Sequence, residues 1–234
     1  MNLTNAKILI TGGTSGIGKA TAHLLKQAGA SVLITGRDKS KTESVGKELG
    51  VHWCVADVSN PEEITTTMKA VHSTLGGLDV LINNAGIGKF KTITDYTLAD
   101  FEEVFRTNVF GAALMGQEAA RIMIQQQSGA IINIGSTAAL SGFKGGSIYS
   151  ASKFALRSMT ECWRAELRTY NIRVHLINPS EVPTAFGSES RTERDEHPKK
   201  LTSNEIAHAI KSVLEMDDRG FIPELSVWAT NPNG

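Results

Sequence analysis

The sequence predicts an α/β fold, in which a doubly wound parallel sheet is flanked by helices. Over the first 135 residues, short β-branched runs alternate with longer segments that have helical spacing. The runs are nearly continuous in apolar residues, which is typical of strands buried on both faces of a parallel sheet. Alternation of this kind predicts βαβ units with right-handed crossovers. The runs lie at 7–11, 31–35, 52–56, 79–83 and 130–134.

The segments between the runs carry helix signals. Gly29 follows the first segment at the place of a C-cap glycine. The second segment, 39–49, and the third, 61–75, are predicted to begin at Ser40 and at Asn60-Pro61. The first segment has an apolar face at helical spacing, formed by Ile17, Ala20, Thr21, Leu24, Leu25 and Ala28.

The second half of the chain continues the pattern less regularly. We predict a long helix at 147–170, a strand at 173–178, a helix at 202–216 and a last strand at 221–228. Neither an internal repeat nor a low-complexity linker divides the chain, so residues 1–234 are predicted to form a single domain.

Composition excludes several classes of partner and location. Among the 234 residues, 24 basic side chains balance 24 acidic ones, so no net field attracts nucleic acid or an anionic membrane. The two cysteines, Cys54 and Cys162, are expected to be free thiols in a reducing compartment. A signal-peptide core and an apolar stretch of about 18 residues are both missing, which favours a cytoplasmic protein.

A glycine-rich turn follows the first predicted strand and opens the first helix. It contains Gly12, Gly13, Gly16 and Gly18 within residues 11–18. Glycine allows the tight turn and lets a diphosphate approach bare main chain at the positive end of the helix. The strand–turn–helix context favours dinucleotide binding over a purely structural turn.

The glycine spacing and later motifs resemble the short-chain dehydrogenase/reductase family, whose fold is Rossmann-like. Gly12, Gly16 and Gly18 give its T-G-x-x-x-G-x-G pattern, and the resemblance covers about 6–184. The later motifs are Asp57 after the third strand, Asn83-Asn84-Ala85-Gly86 after the fourth, and the tetrad Asn108, Ser136, Tyr149 and Lys153. The resemblance implies a cofactor half at about 1–135 and a catalytic and substrate half at about 136–234.

The resemblance also implies which residues contact the cofactor. The set comprises Gly12, Thr14, Ser15, Gly16, Ile17, Gly18, Arg37, Asp57, Val58, Asn84, Ala85, Gly86, Tyr149, Lys153, Pro179, Val182 and Thr184. No metal site is expected, because His197 and His208 lack a partner pattern.

Cofactor choice is expected to depend on the end of the second strand. Relatives that prefer NAD carry an acid at the position that Gly36 occupies, and Arg37 follows it. A guanidinium binds a phosphate in bidentate fashion, so the sequence favours NADP(H). NAD(H) stays open, because a shift of one residue at the strand end makes Asp38 the ribose ligand.

Tyr149 and Lys153 are four residues apart, which places them on one face of a helix. A free tyrosine has a pKa of about 10, and a neighbouring ammonium lowers it. We therefore expect Tyr149 to be the general acid/base and Ser136 to hydrogen-bond the substrate oxygen. By resemblance, Lys153 also holds the nicotinamide ribose, and Asn108 anchors a water in a proton relay to it. The alternatives for Ser136 and Asn108 are a turn cap and a surface amide.

Two segments after the sixth strand have an open interpretation. Ser180 replaces a glycine that is usual in the family, so it is strained if the backbone there has a positive φ. The charged segment 189–200 is either a solvated loop or a lid over the carboxyl edge of the sheet.

The predicted function is hydride transfer between NADP(H) and a carbonyl or secondary alcohol, for example a 3-oxoacyl thioester or a small ketone. A cofactor-sensing regulator without turnover is the alternative, although such a protein is expected to lack the tyrosine or the lysine. Epimerisation or dehydration of a nucleotide sugar usually needs a larger C-terminal domain. We expect the substrate pocket to lie among 137–146, the loop after Gly86 and the segment after Thr184.

Assembly is predicted from two helices with apolar residues on more than one side, at about 100–126 and 147–170. One side of each covers the sheet, and the other leaves an exposed apolar patch unless a second subunit covers it. The resemblance implies that these helices form a four-helix interface, so a homodimer or homotetramer is expected.

Overall fold

A computed structural model describes residues 1–186 and 199–231. Its centre is a seven-stranded sheet in which every pair of neighbours is parallel, in the order β3-β2-β1-β4-β5-β6-β7. This confirms the predicted fold class. The strands are β1 (Lys7–Ile10), β2 (Ser31–Gly36), β3 (His52–Val55), β4 (Val80–Asn83), β5 (Gly129–Ile134), β6 (Ile172–Pro179) and β7 (Glu224–Val227).

Helices cover both faces of the sheet. On β1, Ile8 and Ile10 belong to one buried cluster and Leu9 to another, so both sides of this strand are in the core. α1 and α7 contribute to the first cluster, and α3 and α5 contribute to the second. The helices are α1 (Gly16–Gln27), α2 (Lys39–Leu49), α3 (Pro61–Ala70), α4 (Leu98–Phe105), α5 (Ala112–Gln126), α6 (Ser147–Leu167) and α7 (Ser203–Glu215).

The starts and ends of the first helices follow local chemistry. Gly29 follows the C-cap of α1 with a φ of +89°, and Asn60 caps α3 by accepting from the Glu62 N–H, both as predicted. The predicted start of α2 at Ser40 is wrong, because Asp38 is the N-cap and accepts from the Lys41 N–H. An Asx side chain two residues earlier takes the capping position.

One strand is less buried than its sequence predicts. The run at 52–56 suggests burial on both faces, but β3 is an edge strand, and Trp53 and Val55 are each 40% exposed. The reason is tertiary, because β3 lies at the edge of the sheet and pairs only with β2. An apolar run therefore does not show whether its strand is central or at the edge.

The helix predicted at about 100–126 is interrupted by a wider turn. α4 is followed by a π-helical turn, Arg106–Gly111, before α5 continues. Such π turns often occur at functional sites because the extra residue redirects a side chain. Asn108 lies in this turn.

The predictions for the charged segment and for His197 concern residues that lie wholly or partly outside the described ranges. The proposed lid at 189–200 falls there except for Lys199 and Lys200, and so does His197. Within the described ranges, no helix combines the length and apolar character needed to cross a bilayer.

Candidate active site

The glycine-rich turn, residues 11–18, joins β1 to α1 at the carboxyl edge of the sheet. Gly12 has a φ of +64°, and a Cβ there would lie 2.9 Å from Ala85 Cα. A Cβ on Gly18 would lie 2.4 Å from the Gly12 carbonyl oxygen. Only glycine fits both positions, because the obstructing atoms are main chain.

The motif after β4 holds this turn in place. The Asn84 side-chain amide donates to the carbonyl oxygens of Thr11 and Gly12, each at 3.0 Å. In return, Thr11 Oγ1 accepts from the main-chain N–H groups of Asn84 and Ala85. Four hydrogen bonds thus join two motifs that are more than 70 residues apart in sequence.

The start of α1 differs from four other helix starts, those of α2, α3, α4 and α7, in how it is capped. Ser15 is the N-cap, but its side chain makes no capping hydrogen bond. Among the described residues, Asp38, Asn60, Thr97 and Thr202 all cap their helices through side chains. The first N–H groups of α1 are therefore not occupied by the cap, as an anion site at a helix N-terminus requires.

The end of β2 shows which side chains can meet a ribose. Gly36 is the last residue of the strand, and a Cβ there would lie 2.5 Å from Thr14 Cγ2 and from Thr42 Oγ1. Asp38 is engaged as the cap of α2. Arg37 Nη1 lies 3.5 Å from Asp57 Oδ2, so a cation and the residue after β3 share this corner.

The tetrad residues Tyr149, Lys153 and Asn108 are buried, with exposures of 9%, 4% and 1%. Burial raises the pKa of Tyr149 to about 12, although a hydrogen bond with Ser136 opposes the shift. Burial also lowers the pKa of Lys153 to about 8. The prediction that Lys153 lowers the pKa of Tyr149 is not met in this structure. The Lys153 ammonium lies 5.8 Å from the Tyr149 ring centroid, and desolvation of the phenol is the larger effect.

The Lys153 side chain is fixed by the main chain. Its Nζ donates to the Ile134 carbonyl oxygen at 2.8 Å, at the end of β5. A Cβ on Gly86 would lie 3.8 Å from that Nζ and 3.3 Å from Asn108 Oδ1. The absence of a side chain at Gly86 therefore lets the loop after β4 approach both residues closely.

Asn108 is not a surface amide. Its Oδ1 accepts from the Ile87 N–H at 2.8 Å, and its Nδ2 donates to the Ile87 carbonyl at 2.9 Å. The same Nδ2 donates to Ser152 Oγ at 3.1 Å. The side chain therefore ties the loop after β4 to α6, the helix that carries Tyr149 and Lys153.

Ser136 is held from behind by side chains that the sequence analysis missed. Its main-chain N–H donates to Asn178 Oδ1 at 3.2 Å, and Asn178 Nδ2 donates to Glu224 Oε1 at 2.8 Å. Arg157 Nη2 in turn donates to Glu224 Oε2 at 3.2 Å. The sequence signal for these contacts is Glu224, an acidic residue in the short strand β7. Ser136 Oγ also accepts from the Ala138 N–H, so the turn-cap interpretation is correct as well.

The loop after β6 is compatible with serine at the glycine position. The Ser180 N–H donates to the Val227 carbonyl oxygen at 2.9 Å, which continues the pairing with β7. Within the described residues, the non-glycine residues of positive φ are Asn5, Gln127 and Asn171, so Ser180 carries no left-handed strain. Further along, Thr184 lies against Gly16, where a Cβ would be 3.0 Å from Thr184 Cγ2.

Three phenylalanine rings form a cluster next to Tyr149. We call Phe90, Phe143 and Phe186 the aromatic wall. The ring centroids of Phe90 and Phe186 lie 5.6 and 5.3 Å from that of Tyr149. Phe143 lies 6.0 Å from Phe90. All three rings lie in segments that the sequence analysis predicted to form the substrate pocket, but the sequence did not show that they meet, because single aromatic residues in loops have no periodic signal.

Within residues 1–186 and 199–231, no group of three or more His, Cys, Asp or Glu side chains could hold a metal ion. Cys54 and Cys162 are free, as predicted.

A doubly wound sheet with a glycine turn and a buried tyrosine–lysine pair at its carboxyl edge defines a Rossmann-type α/β protein. A family model described as short chain dehydrogenase matches residues 6–195. The chain therefore belongs to the short-chain dehydrogenase/reductase family of oxidoreductases, as its motifs predicted.

Several relatives are similar over most of the chain. An uncharacterized oxidoreductase of Staphylococcus aureus (strain USA300) is 35% identical over 229 residues, which are 96% of this chain and 97% of the relative. The 3-oxoacyl-[acyl-carrier-protein] reductase FabG of Aquifex aeolicus is 35% identical over 182 residues, 75% of this chain and 73% of that protein. The closed form of serine dehydrogenase complexed with NADP+ superposes with a TM-score of 0.87 at 27% identity, covering 94% of this chain and 93% of that one.

Proposed function

We propose that this protein is an NADP(H)-dependent carbonyl reductase in which Tyr149 is the general acid. One observation carries the proposal. The Tyr149 side chain is buried, Ser136 beside it opposes the rise in its pKa, and Lys153 is fixed next to the Tyr149 ring at the edge where the glycine turn lies. A substrate oxygen that meets both hydroxyl groups can receive a proton and a stabilising hydrogen bond together.

The residues at the carboxyl edge fit a dinucleotide. The glycine turn leaves main chain accessible where side chains would collide, and the Ser15 side chain makes no capping hydrogen bond at the start of α1. When bound, the cofactor supplies the hydride. Around it we assign Gly12, Thr14, Ser15, Gly16, Ile17, Gly18, Arg37, Asp57, Val58, Asn84, Ala85, Gly86, Tyr149, Lys153, Pro179, Val182 and Thr184. Asn84 is assigned two roles, contact with the cofactor and positioning of the glycine turn through hydrogen bonds to the Thr11 and Gly12 carbonyl oxygens.

Preference for NADP(H) is supported by the corner around Arg37. A carboxylate at position 36, which would repel a 2′-phosphate, collides with Thr14 and Thr42. Asp38 is occupied in capping α2, which leaves Arg37 as the charged group next to Asp57. A relative of known structure is complexed with NADP+. NAD(H) is the competing cofactor in the tests below.

Tyr149 is in the protonation state that reduction of a carbonyl group requires. With a pKa of about 12, the phenol is protonated at neutral pH and ready to donate. Ser136 steadies the charge that develops on the substrate oxygen. Lys153, with a pKa of about 8, is still mostly protonated at pH 7, so it can restore the proton to the phenol.

The protein is proposed to act as a homodimer or homotetramer in the cytoplasm. Phe110 and Phe154, at the end of the π turn and on α6, are 56% and 45% exposed. A second subunit would cover these rings, which monomeric proteins rarely expose as a patch. Two free thiols fit a reducing compartment. Light scattering at micromolar concentration tests the assembly.

The decisive experiment is cofactor oxidation by the purified protein. NADPH or NADH is incubated with a panel of ketones and 3-oxoacyl thioesters, because a FabG reductase is among the relatives. We expect absorbance of NADPH to fall with at least one carbonyl compound and not in its absence. Tight NADPH binding without turnover of any carbonyl compound would instead support the alternative of a redox sensor.

A further inference from the structure

The aromatic wall beside the catalytic hydroxyl indicates what the substrate carries next to its carbonyl group. Phe90 and Phe143 are 47% and 51% exposed, although rings of this size are normally buried. Both lie on loops that follow the carboxyl ends of strands, where ligands of open α/β sheets bind. A pair of exposed rings at that edge is typical of a surface that binds an apolar ligand group.

The wall is held in place by contacts between its loops. The Lys91 N–H donates to the Gly145 carbonyl at 2.9 Å and joins the loop of Phe90 to that of Phe143. Two glycines, Gly88 and Gly146, also lie against the rings and leave space for them. A Cβ on Gly88 would be 2.7 Å from the Phe186 ring and 2.9 Å from Phe90, and one on Gly146 would be 2.6 Å from Phe143. The rings therefore occupy positions that the backbone makes room for.

The charges that flank Phe90 are neutralised. Lys91 Nζ lies 2.8 Å from Asp100 Oδ2, and Lys89 Nζ lies 2.9 Å from Asp100 Oδ1. These two ammonium groups hold the pKa of the Asp100 carboxyl well below its usual range, so the cluster stays ionised and paired. The neighbours of Phe90 thus make ion pairs with α4 and do not recruit an anionic group to the wall.

We infer that the substrate is a ketone with a flat apolar substituent, an aryl or cyclic group, that stacks on Phe90 and Phe143 while its carbonyl oxygen meets Tyr149 and Ser136. This inference rests on the proposed function and adds the substrate class to it. The rings of Phe90 and Phe186 flank the phenol at 5.6 and 5.3 Å, so a group bonded to the reacting carbon lies within reach of the wall. Polyols and sugar-like ketones are expected to be poor substrates, because the rings of the wall offer their hydroxyl groups no hydrogen-bond partners.

The test compares three carbonyl compounds in the wild-type protein with NADPH. An aryl methyl ketone, a 3-oxoacyl thioester with an alkyl chain and dihydroxyacetone represent flat apolar, flexible apolar and polar substituents. We expect kcat/KM to be highest for the aryl ketone, at least about tenfold above dihydroxyacetone, which is the size of effect a hydrophobic pocket delivers. Equal or better turnover of either of the other two compounds overturns the inference while leaving a carbonyl reductase in place.

Variants of the wall give the matched comparison. Phe90→Ala and Phe143→Ala should raise KM for the aryl ketone about 5- to 20-fold, in the range that loss of an aromatic contact and its buried area produces. The KM for NADPH should stay within about twofold, and kcat/KM for dihydroxyacetone should fall by a much smaller factor than kcat/KM for the aryl ketone, because dihydroxyacetone has no flat apolar group to lose contact with the wall. Ile93→Ala, a change at an exposed residue of the same loop, is the control and should alter none of these values. Unchanged KM for the aryl ketone in both Phe variants overturns the inference.

A binding measurement separates this inference from the proposed function. Calorimetry measures the affinity of the aryl ketone for the wild type and for Phe90→Ala. Because reduced cofactor is left out, no turnover occurs, and the difference in affinity reflects the contact with the wall. Binding that weakens in Phe90→Ala supports the wall even if no carbonyl compound is turned over, in which case the reductase proposal alone fails. Equal affinity of the two proteins overturns the wall and leaves the reductase proposal standing.

Discussion

The two sides of the site are built by different means. The glycine turn on the cofactor side is shaped by missing side chains and by main-chain carbonyls that Asn84 grips. The side that we propose to be catalytic is shaped by buried polar side chains, among them Tyr149, Lys153, Asn108 and Asn178. The first side needs space and dipoles, whereas the second needs titratable groups, whose burial shifts their pKa values. Binding and proton transfer should therefore be separable by mutation.

The largest effect is expected from Tyr149→Phe, which removes the proton donor and keeps the ring. Turnover of any ketone should fall at least about 100-fold, the low end for loss of a general acid. The dissociation constant of NADPH should change little, because the glycine turn is untouched. Stopped-flow or steady-state absorbance measures the first, and fluorescence titration the second. Retained turnover would refute the assignment of Tyr149.

A substitution on the other side should give the opposite pattern. In Gly18→Ala the new Cβ would lie 2.4 Å from the Gly12 carbonyl oxygen and 2.5 Å from Asn84 Nδ2, so the turn must shift. We expect NADPH affinity to fall about 10- to 100-fold, since forced backbone shifts cost about 1–3 kcal/mol. Gly220→Ala is the matched control, because a Cβ there meets nothing within 4 Å. Equal NADPH affinity in Gly18→Ala and Gly220→Ala would contradict this account of the turn.

Arg37→Ala sharpens the comparison within the cofactor side. Loss of a charge-assisted contact to a phosphate costs about 1.5–3 kcal/mol, so KM for NADPH should rise about tenfold or more. KM for NADH, which lacks the 2′-phosphate, should stay within about twofold. Lys39→Ala, two positions further on at the start of α2, serves as the control for lost positive charge. Equal changes for both cofactors would exclude Arg37 as the selector.

The smallest effect concerns stability on the catalytic side. His175 is fully buried in β6, its Nδ1 donates to the Ile222 carbonyl at 2.7 Å, and burial lowers its pKa to about 4. Unfolded histidine has a pKa of about 6.5, so between these values the unfolded state binds the extra proton. The free energy of unfolding should therefore fall by about 1 kcal/mol from pH 7 to pH 5.5 because of this residue.

Urea unfolding at the two pH values measures the His175 contribution. His175→Gln should flatten the dependence of stability on pH, whatever its effect on stability at pH 7. His208→Gln, which removes an exposed imidazole on α7, is the control and should keep the wild-type slope. A slope that persists in His175→Gln would show that other groups cause it.

The sequence by itself determined the sheet, the glycine turn and the family. These features are local, since β-branched runs, helix caps and glycines act over a few residues and leave a pattern. Even so, the position of β3 at the edge and the cap at Asp38 differed from the prediction, because neighbouring strands and competing caps decide them.

Only the tertiary structure decided what surrounds the catalytic residues. Burial sets the pKa of Tyr149 above its free value, and no spacing of residues shows how much water a fold removes. Phe90 and Phe186 pack against the Tyr149 ring, Phe143 packs against Phe90, and Glu224 reaches Ser136 through Asn178, although these residues lie far apart in sequence. Contacts between distant loops depend on how the strands are ordered in the sheet, which is a property of the whole chain.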